Sequence, residues 1–272
     1  MSVSLPLSAS RRVSTSLPAL VMGILNITGD SFWEGSRTTD AEDAVARALA
    51  MVESGADIID IGAESTRPGA QYVSEEEEIE RLLPVISLIR KETSVPISVD
   101  TRKSSVLRRA LDCGADILND ISAMQDDPDI ARIAAESDIP VVLMHKKGTP
   151  GTMQDSPRYT DVVEEVREYL FARAAAAEKE GISRDKIILD SGIGFGKDLN
   201  HNISLISGLA KIAAGGYPVL MALSRKSCIG MITGKEPQDR MAGTLAANLI
   251  SVKNGATLLR VHDVAETVDM LK

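Results

Sequence analysis

A chain of 272 residues fits one large α/β domain or two ordinary ones, and 44% apolar with 25% charged residues is the make-up of a water-soluble globular protein. A formal net charge of −9 and a pI near 5.0 exclude a general nucleic-acid or membrane-surface binder, although a locally positive cleft still suits an anionic substrate. No apolar run approaches the roughly 20 residues of a membrane helix, and Met1–Pro18 has no continuous apolar stretch of the signal-peptide kind. Cys113 and Cys228 form no CxxC and read as reduced core residues of a cytoplasmic protein.

Residues 1–18 read as a loose extension, free to fold over the domain and without chemistry of its own, ahead of a single domain over residues 19–272. The first strand of that domain is expected at Ala19–Ile27, then a Gly/Asp/Ser loop, then a helix opened by a Thr39/Glu42 capping box and closed at Gly55. Asp57–Ala63 is an apolar run without alternation, which marks a strand buried on both faces in a parallel sheet. Its helix runs from Ser74 to about Thr93, opened by a second capping box of Ser74 with Glu77 and with Glu75–Glu78 as a first turn complementing the helix dipole. Strands follow at Pro96–Asp100, Asp116–Asn119, Pro140–His145, Lys186–Asp190, Pro218–Leu223 and Thr257–Val261. Between them come helices at Ser104–Cys113, Asp129–Ser137, Thr160–Gly181, His201–Ala214, Lys226–Thr233 and Pro237–Asn254, and Ala265–Lys272 closes the chain. A helix-ending Gly-Ala recurs at Gly55-Ala56, Gly114-Ala115 and Gly255-Ala256, as if one unit were copied around a ring. Eight strand–helix units in about 250 residues predict a (β/α)8 TIM barrel. A doubly wound open sheet is the alternative.

In such a barrel the chemistry sits where strands end and βα loops begin. Those ends carry Asn26, Asp60, Asp100, Asn119, His145, Asp190, Ser224-Arg225-Lys226, Arg260 and His262. Any one of them could serve a loop, but a whole ring of polar groups at a barrel mouth costs stability unless a ligand or mutual pairing satisfies it. Asp100, Asn119 and Asp190 suit the edge of a flat nitrogen heterocycle, whereas Arg67, Lys226, Arg260 and His262 suit a phosphate-type anion. Asn26 suits an Mg²⁺ that keeps its waters and leans on substrate phosphates. Gly192-Ile-Gly-Phe-Gly-Lys197 matches neither a Walker A loop nor GxGxxG, and reads as a tight loop projecting Phe195 into the mouth. The three histidines lie on separate elements, so a metallohydrolase cluster is not expected.

The motifs Met22-Gly-Ile-Leu-Asn-Ile-Thr-Gly-Asp-Ser-Phe32, Asp60-Ile-Gly-Ala-Glu-Ser-Thr-Arg-Pro-Gly69 and Ser98-Val-Asp-Thr-Arg-Lys103 are followed by Asn119-Asp-Ile121, Leu143-Met-His145, Asp190–Lys197, Ser224-Arg-Lys-Ser227 and Arg260-Val-His-Asp263. In that order, over Val21 to Lys272, the chain resembles the dihydropteroate synthases of folate synthesis. The resemblance implies condensation of 6-hydroxymethyl-7,8-dihydropterin diphosphate with 4-aminobenzoate, releasing diphosphate. It implies that Asp100, Asn119, Asp190 and Lys226 hold the pterin with Met144 packed nearby, and that Asn26, Arg260 and His262, with Mg²⁺, hold the diphosphate. Thr66 and Arg67 would close over it, and Pro68, Phe195, Lys226 and Ser227 would line an aminobenzoate site open to sulfonamides. Arg67, Asp100 and Lys226 would carry catalysis, and a homodimer through the last helices is implied.

The chain departs from the family pattern at Gly29, where proline is usual, at Ser191, and at Lys146-Lys147. Trp33, the only tryptophan, falls in the first loop, and its fluorescence is expected to change when pterin and diphosphate bind together. Two other readings compete: a methyltetrahydrofolate-binding barrel of a cobalamin-dependent methyltransferase, and a catalytically silent pterin-binding barrel. The first has no need of Ser224–Ser227 or Thr66-Arg67, and neither alternative releases diphosphate.

Overall fold

The computed structural model describes residues 2–27, 37–64, 72–148 and 157–272. It opens with strands β1 (Val3–Pro6) and β2 (Arg12–Thr15), an antiparallel hairpin. Eight parallel strands then close a barrel: β3 (Leu20–Asn26), β4 (Ile58–Gly62), β5 (Ile97–Asp100), β6 (Ile117–Asp120), β7 (Val141–Met144), β8 (Ile187–Asp190), β9 (Val219–Met221) and β10 (Leu258–Val261). Helices α1 (Arg37–Glu53), α2 (Glu75–Glu92), α3 (Ser104–Asp112), α4 (Ile130–Glu136) and α5 (Val162–Lys179) follow β3 to β7 in turn. After β8 come α6 (Leu199–Ser207) and α7 (Leu209–Ala213), after β9 come α8 (Ser227–Thr233) and α9 (Met241–Lys253), and α10 (Val264–Leu271) ends the chain. The open doubly wound sheet is ruled out by the pairing of β10 with β3.

The repeated Gly-Ala has one geometry. Gly55, Gly114 and Gly255 have φ of +98°, +101° and +102°. At each, the glycine N–H and the following alanine N–H reach back to the last turn, for example Gly55 to Val52 O and Ala56 to Met51 O, both at 2.9 Å. This is a helix stop that satisfies orphan carbonyls and turns the chain into the next strand, and the left-handed φ favours glycine.

Strand periodicity sorts the barrel interior into layers. Met22, Ile58, Ile117, Val142, Ile188 and Leu258 form a dry layer near the strand starts. Two residues further along the same face of β4, β6, β8 and β10 stand Asp60, Asn119, Asp190 and Arg260, and β5 places Asp100 two beyond the buried Ser98. One end of the barrel is therefore oil and the other is polar.

Several expectations need correction. Residues 3–15 do fold over the domain, but as an ordered hairpin rather than a loose segment: Leu5, Leu7 and Val13 pack against the dry layer and close that end of the barrel. Arg11 ties the hairpin to the barrel through Asp116, which also accepts from Arg90 at 2.7 Å and from the Ile97 N–H at 2.9 Å. Helix α1 begins at Arg37, so Thr39 lies within it and is not its N-cap. Ser74 does cap α2, accepting from the Glu77 N–H, but Glu77 turns to Arg81 instead of completing a capping box. Glu78 is not a solvated first-turn acid: it is fully buried on Lys103 at 2.5 Å. The helix expected over 201–214 is broken at Gly208, where a Cβ would lie 2.9 Å from Val163 of α5. Cys113 is half-buried, Cys228 is buried, and both are free.

Candidate active site

The polar end of the barrel holds one connected set of charges. Asp60, in mid-strand on β4, is wholly buried and accepts from Arg260 Nε at 2.6 Å and from the Asn119 amide at 3.2 and 3.3 Å. Arg260 Nη2 reaches Asp100 Oδ2 at 3.0 Å, so one guanidinium bridges two acids across β4, β5 and β10. Burial pushes the Asp100 carboxyl up to about 7; Arg260 opposes the shift, and Asp60 adds to it. Asp190 is also raised by burial, against the pull of Lys226 and a 2.8 Å hydrogen bond from the Gly192 N–H. These carboxylates face a low-dielectric mouth, where a ligand's N–H groups would be strong partners.

Lys226, at the N-terminus of α8, donates to Ile193 O and lies 4.7 Å from the centroid of the Phe195 ring. Burial lowers its ammonium to about 8, with Asp190 holding it up. Ser224 accepts from the His262 N–H at 3.1 Å, and its hydroxyl lies 2.9 Å from His262 Nδ1. Arg225 takes φ +58° and grips Asp263 through Nε at 3.0 Å and Nη2 at 2.5 Å, which fixes the loop after β9 beside that after β10. Ser227 is exposed at the opening, Met144 is buried on β7 beside Asp190, and Asn26 is exposed at the end of β3.

Asp100, Asn119, Met144, Asp190, Phe195, Lys226, Arg260 and His262 thus sit on strand ends and βα loops around one barrel end. The expected segregation of acids from cations does not hold, because Arg260 is inserted between Asp60 and Asp100 instead of standing apart with His262. Thr66, Arg67 and Pro68, with Gly29 and Trp33, lie outside the described residues. The sequence marks Asp60 only as a strand end, yet parity carries the stronger signal: an acid two residues past Ile58 on an apolar strand points into the barrel. Also unforeseen is the set around Lys103, whose ammonium holds Glu64 at 3.1 Å, Glu78 and the Val73 carbonyl at 2.8 Å.

A family model described as "Pterin binding enzyme" matches residues 22–262. The dihydropteroate synthase of Escherichia coli (strain K12) is 46% identical over 252 residues, covering 93% of this chain and 89% of that one. Among solved structures, a Xanthomonas albilineans dihydropteroate synthase with 4-aminobenzoic acid superposes with a TM-score of 0.90 at 46% identity, covering 100% of this chain and 96% of that one. A Yersinia pestis dihydropteroate synthase in complex with a sulfonamide drug gives 0.90 at 39% identity, with 97% and 95% covered. The chain belongs to the pterin binding enzymes and, within them, to the dihydropteroate synthases.

Proposed function

We infer that the chain joins 6-hydroxymethyl-7,8-dihydropterin diphosphate to 4-aminobenzoate, forming 7,8-dihydropteroate and diphosphate. It is a transferase. The observation that carries this reading is the meeting of Asp60, Asp100, Asn119 and Arg260 in one hydrogen-bonded set, with Asp190 and Lys226 at the same barrel end. In the reaction the C–O bond to diphosphate breaks, a C–N bond to the arylamine forms, and the amine loses a proton. The arylamine is neutral near pH 7, so a strong general base is not required. Catalysis rests on orienting the ring and stabilising charge as diphosphate departs.

Asp100, Asn119 and Asp190 bind the pterin edge, with Met144 against its face. Lys226 offers charge between the pterin and aminobenzoate positions. Phe195, Ser227 and Pro68 line the aminobenzoate site, where sulfonamides compete. His262 and Arg260 face the departing diphosphate, and Thr66 and Arg67 assist it. Arg260 does so while balancing Asp60 and Asp100. Mg²⁺, when bound, supplies positive charge to the leaving group; the exposed Asn26 amide fits a hydrated ion held mainly through substrate phosphates. Among the described residues, no group of three or more His, Cys, Asp or Glu could hold a metal ion.

The cytoplasm is the compartment that the free thiols of Cys113 and Cys228 suit. Among the described residues no helix is long and apolar enough to cross a membrane. It pairs with a second copy through its last helices, a reading supported by Met231, Ile232, Met241 and Ile250, all exposed on α8 and α9. The methyltetrahydrofolate and silent-barrel readings are separated from the synthase by one assay. Purified chain with pterin diphosphate releases diphosphate only when 4-aminobenzoate and Mg²⁺ are both present. Release independent of aminobenzoate, or none at all, overturns the reading.

A further inference from the structure

Lys197 is only 2% exposed, although it follows a loop at the barrel mouth. Its ammonium has three hydrogens and meets three acceptors: His145 Nδ1 at 2.9 Å, Gly192 O at 2.9 Å and Phe195 O at 3.0 Å. The His145 carbonyl stands further off at 3.4 Å. With its donors used, Lys197 has none left for a substrate, so its role is exercised through the loop it holds. Burial lowers both groups, Lys197 to about 7 and His145 to about 3, so the imidazole is neutral and accepts at Nδ1.

The loop is shaped for this grip. Gly192 and Gly196 have φ of +66° and +67°, and a Cβ on either would lie 1.9 Å from His145 O or 2.3 Å from Lys147 O. The glycines let the loop lie directly on the backbone after β7. Its remaining handles are taken from outside: Lys226 holds Ile193 O, Tyr159 donates to Gly196 O at 2.9 Å, and Asn202 accepts from the Gly194 N–H at 2.8 Å. A buried ammonium without a carboxylate in direct contact is costly, and carbonyl dipoles repay the cost only while the loop keeps one shape.

We propose that Lys197 is a positioning residue for the arylamine site: its ammonium, held by His145, clamps the Gly192–Gly196 turn so that the Phe195 ring and the Ile193 carbonyl stay beside Lys226. The proposal rests on the synthase reading of this mouth. Two variants test it, K197M and H145L, with H145Q retaining an acceptor for the ammonium. For K197M, losing a charge-assisted hydrogen-bond set predicts a KM for 4-aminobenzoate raised about tenfold or more, with the dissociation constant of pterin diphosphate within about threefold of wild type. Backbone amides of residues 192–196 exchange with deuterium faster in K197M, a readout that needs no turnover. H145L moves both readouts in the same direction to a smaller extent, and H145Q does not. If K197M does not fold, H145L against H145Q decides. An unchanged aminobenzoate KM with unchanged exchange, or equal losses for both substrates, overturns the clamp. A wild-type chain that releases no diphosphate instead overturns the synthase reading, and the exchange result still judges the clamp.

Discussion

Asp100 and Lys226 are pulled toward neutrality from opposite sides, since burial disfavours the charged form of each. Asp100 is ionised above about 7 and Lys226 is protonated below about 8, so the competent pair, carboxylate with ammonium, peaks between the two values. The profile of kcat/KM for pterin diphosphate is therefore expected to be a narrow bell, rising through about 7 and falling beyond about 8, because this parameter reports the free enzyme's groups. K226R keeps its charge at any accessible pH and moves the alkaline limb upward. An alkaline limb that stays in place in K226R assigns it to another group. Asp60, Asp100 and Arg260 neutralise one another, so a ligand binding here is expected to exchange with those partners rather than meet bare charges.

At the level of elements, the strands do two jobs along one face, and the boundary between the jobs is a two-residue step. The dry layer ends at Ile58, Ile117 and Ile188, and the site begins at Asp60, Asn119 and Asp190. The hairpin β1–β2 belongs to the first job. Leu5→Ala is expected to cost about 2–5 kcal/mol, the usual range for a large-to-small change in a packed core. Its melting temperature falls while both KM values stay at wild type; a changed KM would mean that the closed end of the barrel is felt at the mouth. The barrel itself was legible in the sequence because apolar runs, Gly-Ala stops and polar strand ends agreed in period and order. The hairpin was not, since Val3–Pro6 and Arg12–Thr15 are short and their burial comes from a distant layer rather than from their own pattern. The inward turn of Glu78 was hidden for a related reason: three neighbouring glutamates are solvated, and only the position of Lys103 marks out the fourth. Likewise, residue types announced acids for the heterocycle and cations for the anion, but only coordinates reveal that Arg260 lies between Asp60 and Asp100.

For the whole molecule, eight copies of one strand–helix unit bring residues from Asn26 to His262 to one end, and the other end is sealed by the hairpin. The flank carrying Ile232 and Ile250, 58% and 49% exposed, is the apolar surface that the proposed second copy would cover. Replacing both by glutamate is expected to give a monomer by sedimentation equilibrium, and an unchanged dimer places the interface elsewhere. The account stands on the mouth being a single substrate site. A crystal structure with 7,8-dihydropteroate bound tests this most directly. The pterin is expected within hydrogen-bonding distance of Asn119 and Asp190 and close to Lys226, with the aminobenzoyl ring against Phe195. Product bound away from the Asp60–Asp100–Arg260 set, or a pterin edge turned from Asp190, contradicts it.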